Sequence, residues 1–414
     1  MRNALILKVQ LKMKPLNVLI TNNTLSFRAG SELYVRDVAM SLKSRGHNPI
    51  AYSKALGEVA EELRTAGVKV IDDLKNLVIV PDLIHGHHHL ETMTALLYLP
   101  RTPAIFICHG VVPWEEIPPL FPRILRYVAV DKACLDRLYE YNVSPARIQV
   151  VLNFVDLKRF PLRASLPPRP RRALIFSNYA SEVNSIPKVR EACRRARIEL
   201  DIMGLFSGHP CSRPEEILSS YDLVFAKARS ALEALASGAA VITCDAEAFG
   251  CMVNTDNLES LRELNFGIRT LNKKIDPETI FNEIEKYDPD DAQKVSRRIR
   301  SSADIELVVD KLLALYQQVI EEYAGNVSDQ QAEYKSAAAY LSWLSPRLKG
   351  VDELHNSLLH EVEKVLLHKE LEKQNILNSR SWRITQPLRQ VKSWLGRILG
   401  KPSVQLLTRD KPSK

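Results

Sequence analysis

The sequence predicts an α/β protein with two doubly wound, parallel-sheet domains and a helical tail. Short apolar runs typical of buried strands alternate with amphipathic helices from residue 16 to residue 152. The same alternation restarts at Ala173, and from about Gly325 it gives way to a charged helical pattern. We therefore expect an N-terminal extension (1–14), a first domain (15–160), a Pro- and Arg-rich linker (161–172), a second domain (173–323) and a helical basic tail (324–414).

The positions of the elements follow from the same patterns. In the first domain we predict strands at 16–21, 49–52, 68–71, 82–86, 104–108, 126–130 and 148–152, with helices at 33–45, 56–66 and 132–139. In the second domain we predict strands at 173–177, 199–203, 222–226 and 240–243, with helices at 183–196, 214–219, 277–286, 291–301 and 305–323.

Length and composition are those of a globular protein with room for two or three domains. The 414 residues are 45% hydrophobic and 26% charged. Six cysteines without CxxC spacing favour reduced thiols in a cytosolic compartment over a disulfide framework or a zinc ribbon. No apolar run approaches the roughly 20 residues that a membrane span needs. The apolar stretch near the start is too short for a secretory signal.

The net charge of +8 comes from the tail. Residues 373–414 contain ten Lys and Arg but a single acid, Asp410, whereas the rest of the chain is almost neutral. A charge asymmetry of this kind predicts an anionic surface or polymer as the partner of the tail.

The stretch 222–245 contains the clearest candidate ligand site. An apolar strand runs into Lys227, Arg229 and Ser230, and an Ala- and Leu-rich helix follows that Ser230 is able to cap. Ligands of such βαβ units bind at the carboxyl ends of the strands. Two cations and the free N–H groups of a helix start suit a diphosphate, and Glu233 would accept hydrogen bonds from ribose hydroxyls. The structural alternative is a sheet edge with solvated charges.

Four histidines surround the end of the predicted strand 82–86. In an extended chain His85, His87 and His89 share one face, and His88 points away. No nearby Cys or HxxxH helix completes a tetrahedral site, so we expect no metal. We interpret the cluster as polar lining of a sugar cleft.

Several motifs resemble those of GT-B glycosyltransferases, most of all the large retaining family 4. Residues 221–242 resemble their nucleotide-sugar site, and 150–160 (VVLNFVDLKRF) resembles their "vipNGVDlerF" string. The resemblance spans roughly residues 16–323. It implies transfer of a sugar from a nucleoside diphosphate sugar to a glycan or lipid-linked acceptor, in a cleft between two Rossmann-like domains and without metal or cofactor.

The resemblance also implies roles for particular residues. His109 lies where the family places a histidine near the reacting sugars, and a histidine bonded to a neighbouring carbonyl is its structural alternative. Residues 245–253 resemble the Gly-containing donor-sugar loop. The candidates are His109 for catalysis; Gly30, Ser31, Glu32 and His87 for the acceptor and phosphate loop; and Lys227, Arg229, Ser230, Glu233, Asn178, Glu247 and Gly250 for the donor.

Two departures from the family pattern leave the activity open. The acid eight positions before the family's equivalent of Glu233 is missing, and Asn178 begins a segment that replaces the usual "GR…K" phosphate clamp. Lys227 and Arg229 are interpreted as substitutes for that clamp. Three functions remain: a retaining glycosyltransferase of cell-surface polysaccharide synthesis, a catalytically inactive membrane-tethered scaffold, and a GT-B epimerase or phosphorylase.

The tail combines two helical patterns. Apolar residues at 351–365 are spaced by three and four, which predicts an amphipathic helix that is able to pair, so a homodimer stays open. Residues 379–389 (SRSWRITQPLR) resemble stretches that trail bacterial surface-polysaccharide glycosyltransferases. An apolar stripe with basic residues and Trp predicts binding to an anionic membrane, and the tail lacks a nucleic-acid motif. The expected location is cytoplasmic, peripheral on the inner face of the bacterial membrane. The residues concerned are Trp382, Arg383, Arg389, Lys392, Trp394 and Arg397.

Overall fold

The computed structural model describes residues 14–325, 329–389 and 391. Contacts within the chain divide it into two compact units, 1–336 and 337–414. The first unit contains two large sheets, each the centre of one lobe, and a two-stranded sheet formed by Thr24–Leu25 and Ala55–Leu56. The second unit contains most of the long tail helix. Nearly all of the predicted N-terminal extension lies outside the described residues.

The first lobe is built on a seven-stranded parallel sheet. The central strand Ala104–Cys108 is apolar from end to end because it is buried on both faces. The strand order is β3-β2-β1-β4-β5-β6-β7, and every neighbouring pair is parallel. The strands are β1 (Asn17–Thr21), β2 (Asn48–Tyr52), β3 (Lys69–Ile71), β4 (Leu83–His87), β5 (Ala104–Cys108), β6 (Ile124–Ala129) and β7 (Ile148–Val150). The order reverses beside β1 and β4, where doubly wound sheets bind ligands.

Within residues 14–160, four α-helices belong to this lobe. They are α1 (Gly30–Ser44), α2 (Glu58–Thr65), α3 (His89–Tyr98) and α4 (Lys132–Glu140). Helix α1 begins three residues earlier than predicted, and Glu32 in its first turn is stabilised by the helix dipole. It ends before Gly46, whose φ of +85° gives the left-handed turn expected after a helix.

The second lobe is a six-stranded sheet in the order β9-β8-β10-β11-β12-β13. The strands are β8 (Arg172–Phe176), β9 (Glu199–Met203), β10 (Leu223–Ala226), β11 (Ala240–Cys244), β12 (Ala248–Met252) and β13 (Lys273–Lys274). The first four in that order are parallel, as predicted, and the last two pair antiparallel. A four-residue helix, Pro214–Ile217, lies within the predicted helix 214–219. The longer helices are α5 (Ile186–Ala196), α6 (Ala228–Ala236), α7 (Leu258–Glu263), α8 (Pro277–Ile284), α9 (Pro289–Ser302) and α10 (Ile305–Ala324).

A β-hairpin occupies the segment expected to form a donor-sugar loop. Strand β12 pairs antiparallel with β11, so residues 248–252 of the expected loop form a strand and residues 245–247 form the turn. Gly250 is buried inside this hairpin, where a Cβ atom would overlap the Thr243 hydroxyl and the Thr270 carbonyl oxygen. The glycine therefore permits close packing of the sheet, and Glu247 lies exposed at the turn.

Helix α10 returns from the second lobe to the first. It contacts α1, β5 and β6. At its start Glu306 accepts a hydrogen bond from Arg45 at 2.5 Å, and further along it the Tyr316 hydroxyl reaches His85. One helix thus ties the lobes together on the side of the first sheet. The predicted α/β fold with two Rossmann-like sheets and a helical tail is confirmed.

The second unit is helical. It contains the greater part of α11 (Gln330–Asn378) and a short α12 (Arg380–Ile384). Ser379 separates the two helices and caps α12, since its hydroxyl accepts a hydrogen bond from the Trp382 N–H at 3.2 Å. None of the helices in the described residues is long and apolar enough to cross a membrane. The predicted membrane residues Lys392, Trp394 and Arg397 lie outside the described residues.

Candidate functional site

A column of three imidazole rings stands at the carboxyl edge of the first sheet. His85 and His87 alternate on β4, and their rings stack at 4.7 Å. His109 follows the neighbouring strand β5 and stacks on His87 at 4.7 Å and 7°. His87 Nδ1 lies 2.6 Å from His109 Nε2, within hydrogen-bonding distance. The sheet register therefore brings together two histidines that the sequence predicts for the site.

Two tyrosines pack against the column. The ring of Tyr34, from α1, contacts all three imidazoles, closest to His109 at 4.6 Å. The hydroxyl of Tyr316, from α10, lies 2.5 Å from His85 Nδ1. His85, His87 and both tyrosines are buried, whereas His109 is half-buried. The histidine nearest to solvent is thus the predicted catalytic one.

The column is uncharged at neutral pH. Burial lowers the pKa of His85 to about 3 and that of His87 well below its ordinary value. Burial also lowers the pKa of His109. Neutral imidazoles carry one proton each, so the rings of His87 and His109 share a single hydrogen bond between them.

The tautomers follow from the unpaired atom of His87. Its Nε2 is buried and has no hydrogen-bond partner among the described residues. Buried N–H groups without an acceptor are rarer than buried acceptors without a donor, which places the proton of His87 on Nδ1. His87 then donates to His109 Nε2, and His109 carries its own proton on Nδ1. This arrangement leaves His109 with a ring N–H at Nδ1, while its Nε2 is occupied as an acceptor.

His88 and His89 leave the column. His88 has a left-handed φ of 58°, and its Nε2 lies 3.3 Å from Glu116 in a buried ion pair. Although burial opposes the charge, the Glu116 carboxylate raises the pKa of His88. The other Glu116 carboxylate oxygen accepts a hydrogen bond from the backbone N–H of His109 at 2.9 Å. His89 begins α3 and contacts Trp114, so the expectation that it shares a face with His85 is wrong because the strand ends at His87.

The predicted acceptor and phosphate loop lies at the start of α1. Gly30 is exposed, and no heavy atom lies within 4 Å of the position that a Cβ atom would occupy there. The Ser31 hydroxyl donates to Glu32 at 3.1 Å. Burial raises the pKa of Glu32, and the charges of His88 and Glu116 also act on it. The loop therefore lies beside the buried pair that supports His109.

In the second lobe, Lys227 follows β10 and precedes α6. Its ammonium group pairs with Asp245 and lies 5.4 Å from the centre of the Tyr179 ring. Asp245, just after β11, also accepts a hydrogen bond from the Ser177 hydroxyl at 2.8 Å. The carboxyl ends of three neighbouring strands thus contribute to one cluster. Asn178 lies between Ser177 and Tyr179, where its side chain accepts the Leu205 N–H at 3.3 Å.

Arg229 bridges the two lobes. Its Nε donates to Glu233 at 2.7 Å within α6, and its Nη2 donates to Asp37 of α1. Asp37 is buried and also pairs with Arg36 at 2.6 Å and with Arg159 at 3.4 Å. Burial opposes ionisation, but these cations lower the pKa of Asp37. Arg229 and Glu233 therefore lie where the lobes meet, within a charge network.

Glu233 is almost fully buried beside that network. Burial raises the pKa of its carboxyl group in spite of the Arg229 guanidinium. Arg229 supplies a charge-assisted hydrogen bond to this buried group. The residue predicted to bind ribose is therefore already paired with Arg229.

Ser230 does not cap α6. The helix begins at Ala228, and Lys227 occupies the cap position without a side-chain hydrogen bond. Ala228 has a left-handed φ of 52°, and its N–H donates to Phe266 O at 2.9 Å. That bond starts the helix two residues before Ser230, which is why the predicted cap is wrong. Ser230 instead lies in the first turn.

Sequence reasoning missed Asp37, Arg36, Arg159, His88 and Glu116 as parts of the site. Their partners are distant in sequence, so local spacing gives no signal for the pairing. The available signal is the adjacent charged pair, Arg36-Asp37, between apolar residues of α1. Among the described residues, no group of three His, Cys, Asp or Glu side chains is arranged to hold a metal ion.

Comparisons with known proteins place the chain among glycosyltransferase folds. Residues 28–159, which include the histidine column, match the family model described as Glycosyltransferase Family 4. No curated protein sequence matches the chain.

The solved structures similar to this chain include the following two. A glycosyltransferase from Rickettsia africae ESF-5 is 15% identical, with 74% of this chain and 99% of that chain covered and a TM-score of 0.53. Anabaena HepE in complex with UDP-glucose is 14% identical, with 75% of this chain and 100% of that chain covered and a TM-score of 0.52. The chain therefore has the GT-B fold, with a first lobe similar to glycosyltransferase family 4.

Proposed function

We propose that the chain is a glycosyltransferase that moves a sugar from a nucleoside diphosphate sugar to a glycan or lipid-linked acceptor. The observation that carries this proposal is the position of Lys227 and Arg229 at the carboxyl edge of the second sheet, with Arg229 reaching the first lobe. The uncharged histidine column stands at the corresponding edge of the first sheet. The cations of the second lobe suit a charged diphosphate, and the neutral histidines of the first lobe suit an uncharged sugar.

Lys227 and Arg229 would exchange their carboxylate partners for the diphosphate as the donor binds. Lys227 and Arg229 now pair with carboxylates, and a diphosphate offers them the same charge-assisted hydrogen bonds. The N–H groups at the start of α6 have no side-chain cap and add a favourable dipole for an anion. These groups would stabilise the departing diphosphate without a metal ion. The UDP-glucose of the HepE complex makes UDP-sugars the first donors to test.

Transfer would take place beside His109. Its Nδ1–H would donate to an oxygen of the reacting sugar, while the Glu32 loop contacts the acceptor. We further propose that the anomeric configuration is retained and that the product is a cell-surface polysaccharide. Both proposals rest on the family likeness of the first lobe and on the tail.

Calorimetric titration of the full chain with UDP-, GDP- and ADP-sugars tests donor binding. We expect Lys227→Ala to weaken binding at least tenfold. The control is Lys188→Ala, an exposed lysine of α5 in the same lobe, which should leave affinity unchanged. Equal affinity of the two variants, or no binding of any donor, would contradict the proposal.

A catalytically inactive scaffold is the second candidate. Residues that resemble the family's donor-sugar loop form part of the hairpin of β11 and β12. This observation favours the inactive scaffold. Nucleotide release with lipid-linked acceptors distinguishes the two functions. A chain that binds a donor but releases no nucleotide with any acceptor would be the scaffold.

We also propose that the tail holds the protein on the inner face of the bacterial membrane. The Arg389 guanidinium lies 3.6 Å from the centre of the Trp382 ring, which joins charge and aromatic surface in one segment. Such segments bind anionic interfaces. Flotation with phosphatidylglycerol vesicles should be lost in Trp382→Ala with Arg383→Glu and retained in Lys364→Glu. Flotation of the first variant would contradict membrane docking through this segment.

A further inference from the structure

Helix α11 exposes a continuous set of large apolar side chains. Between residues 341 and 366 each of nine such side chains is at least 50% exposed. They are Leu341, Leu348, Val351, Leu354, Leu358, Leu359, Val362, Val365 and Leu366. A single helix cannot bury its own apolar stripe, so the stripe indicates a surface that another helix covers.

The spacing of the stripe is that of a coiled coil. Over 341–365 the a and d positions of a seven-residue repeat are occupied by apolar side chains at seven of eight places. The a positions are Leu341, Leu348, His355 and Val362, and the d positions are Leu344, Val351, Leu358 and Val365. Leu344 is buried within this chain, so the continuous exposed seam begins at Leu348. The two residues that weaken helices, Pro346 and Gly350, occupy f and c positions outside this seam.

The charges on α11 favour a protein partner over a membrane. Helices that lie on anionic membranes carry Lys and Arg on the polar face. Between residues 348 and 366 the polar positions instead hold more acids than bases. The acids are Asp352, Glu353, Glu361 and Glu363, and the bases are Lys349 and Lys364.

The flanking positions match a second copy of the same helix. In a parallel, in-register pair, Arg347 at position g faces Asp352 at position e of the second copy. Leu354 likewise faces Leu359, which extends the apolar seam. No like-charged pair faces across these positions from 341 to 366.

We propose that α11 pairs with α11 of a second copy as a parallel, in-register coiled coil over residues 347–366. The chain is then a homodimer. Each dimer carries two basic tails side by side, so both engage one surface together. This inference stands independently of the proposed transferase activity.

Cysteine cross-linking in the full chain tests the register. In a parallel pair the two copies of Leu358, at position d, lie close enough for a disulfide, whereas Glu363, at position b, points away. Leu358→Cys should give a covalent dimer on mild oxidation, and Glu363→Cys should give no more than the wild type with its six cysteines. Equal cross-linking of both variants would overturn the register.

Light scattering tests the self-association itself. The wild type should have twice the mass of one chain, and Leu358→Glu with Val362→Glu should have the mass of one. The matched control, Glu353→Gln at position f, should remain a dimer. Thermal unfolding of the sheet unit at an unchanged temperature would show that the charge variant is folded. A monomeric wild type, or a dimer that the charge variant leaves intact, would overturn the proposal.

Discussion

The two lobes present the same edge of a parallel sheet with opposite chemistry. In the first lobe His87 and His109 are neutral rings that stack and share a hydrogen bond. In the second lobe Lys227 and Arg229 are cations, each held by a carboxylate. The same type of sheet thus supports a neutral, aromatic site in one lobe and a charged site in the other. The strand ends determine where the site residues lie, and the side chains at those ends determine whether the site is neutral or charged.

The two arrangements also contribute to stability differently. A buried imidazole stays neutral because burial lowers its pKa, so its contribution to stability depends on pH. A buried ion pair stays charged and depends on its partner, since removal of one member leaves the other charge unpaired. Substitutions in each lobe should therefore have distinct signatures.

The largest effect is expected in the second lobe. Arg229→Leu leaves Asp37 and Glu233 buried without their bridging cation, which should lower the free energy of unfolding by about 3 kcal/mol. Urea unfolding at pH 7.5 measures this loss. The control is Lys227→Leu, whose pair with Asp245 is more exposed, and which should cost about 1 kcal/mol or less.

A double variant sharpens this prediction. If Arg229 is needed because Asp37 is charged, adding Asp37→Asn should recover about 1–2 kcal/mol of the loss. Arg36 and Arg159 keep Glu62 and Glu215 as partners, so the second change leaves neither without a carboxylate. Strictly additive losses would contradict the bridge between the lobes.

The first lobe should respond to pH instead. His85 is neutral when folded and takes up a proton on unfolding below its ordinary pKa of about 6.5. The unfolded state then binds more protons, so stability falls as pH decreases from about 6.5 towards the folded pKa of about 3. For this group alone the loss at pH 4.5 is about 2–3 kcal/mol.

His85→Phe removes that titration. At pH 7.5 the variant should be about 1 kcal/mol less stable, because the Tyr316 hydroxyl loses its partner. At pH 4.5 the order should reverse. Urea unfolding across this pH range measures both, with the exposed tail residue His360→Phe as control. Parallel stability curves for wild type and His85→Phe would refute a buried neutral histidine.

The fold is predictable from local pattern, and the site only in part. Strands such as β5 and β10 lie within a residue of their predicted bounds because an apolar run between polar ends encodes burial directly. The proximity of His87 and His109 is also predictable, since both lie at the carboxyl ends of neighbouring strands. The ion pairs of Asp37 are not, because residues 37, 159 and 229 meet only after both lobes have folded.

The hairpin shows where family likeness gives the wrong local structure. Residues 245–253 resemble the Gly-containing donor-sugar loop, yet Ala248–Met252 within them form a strand. Phe249 and Met252 are buried in the sheet, and their burial together with the pairing to β11 decides the conformation. Tertiary pairing thus prevails over a motif whose glycine has a second use in close packing.

Gly250→Ala tests this structural use of the glycine. The added Cβ would overlap the Thr243 hydroxyl and the Thr270 carbonyl oxygen, so the sheet must shift. We expect a loss of about 2 kcal/mol in the free energy of unfolding, measured in urea. Unchanged stability together with weaker donor binding would instead support the predicted role of Gly250 in donor binding.

Gly30→Ala is the counterpart in the first lobe and should have the smallest effect. No heavy atom lies within 4 Å of the added Cβ, and Gly30 begins a helix, where Ala is tolerated. Stability should therefore change by less than about 0.5 kcal/mol. A ligand that approaches the backbone at Gly30 would meet the new methyl group, so transfer activity should fall while unfolding stays the same. Equal activity of Gly30→Ala and wild type would show that no ligand comes close to this loop, and the first lobe's contribution would then rest on the histidine column.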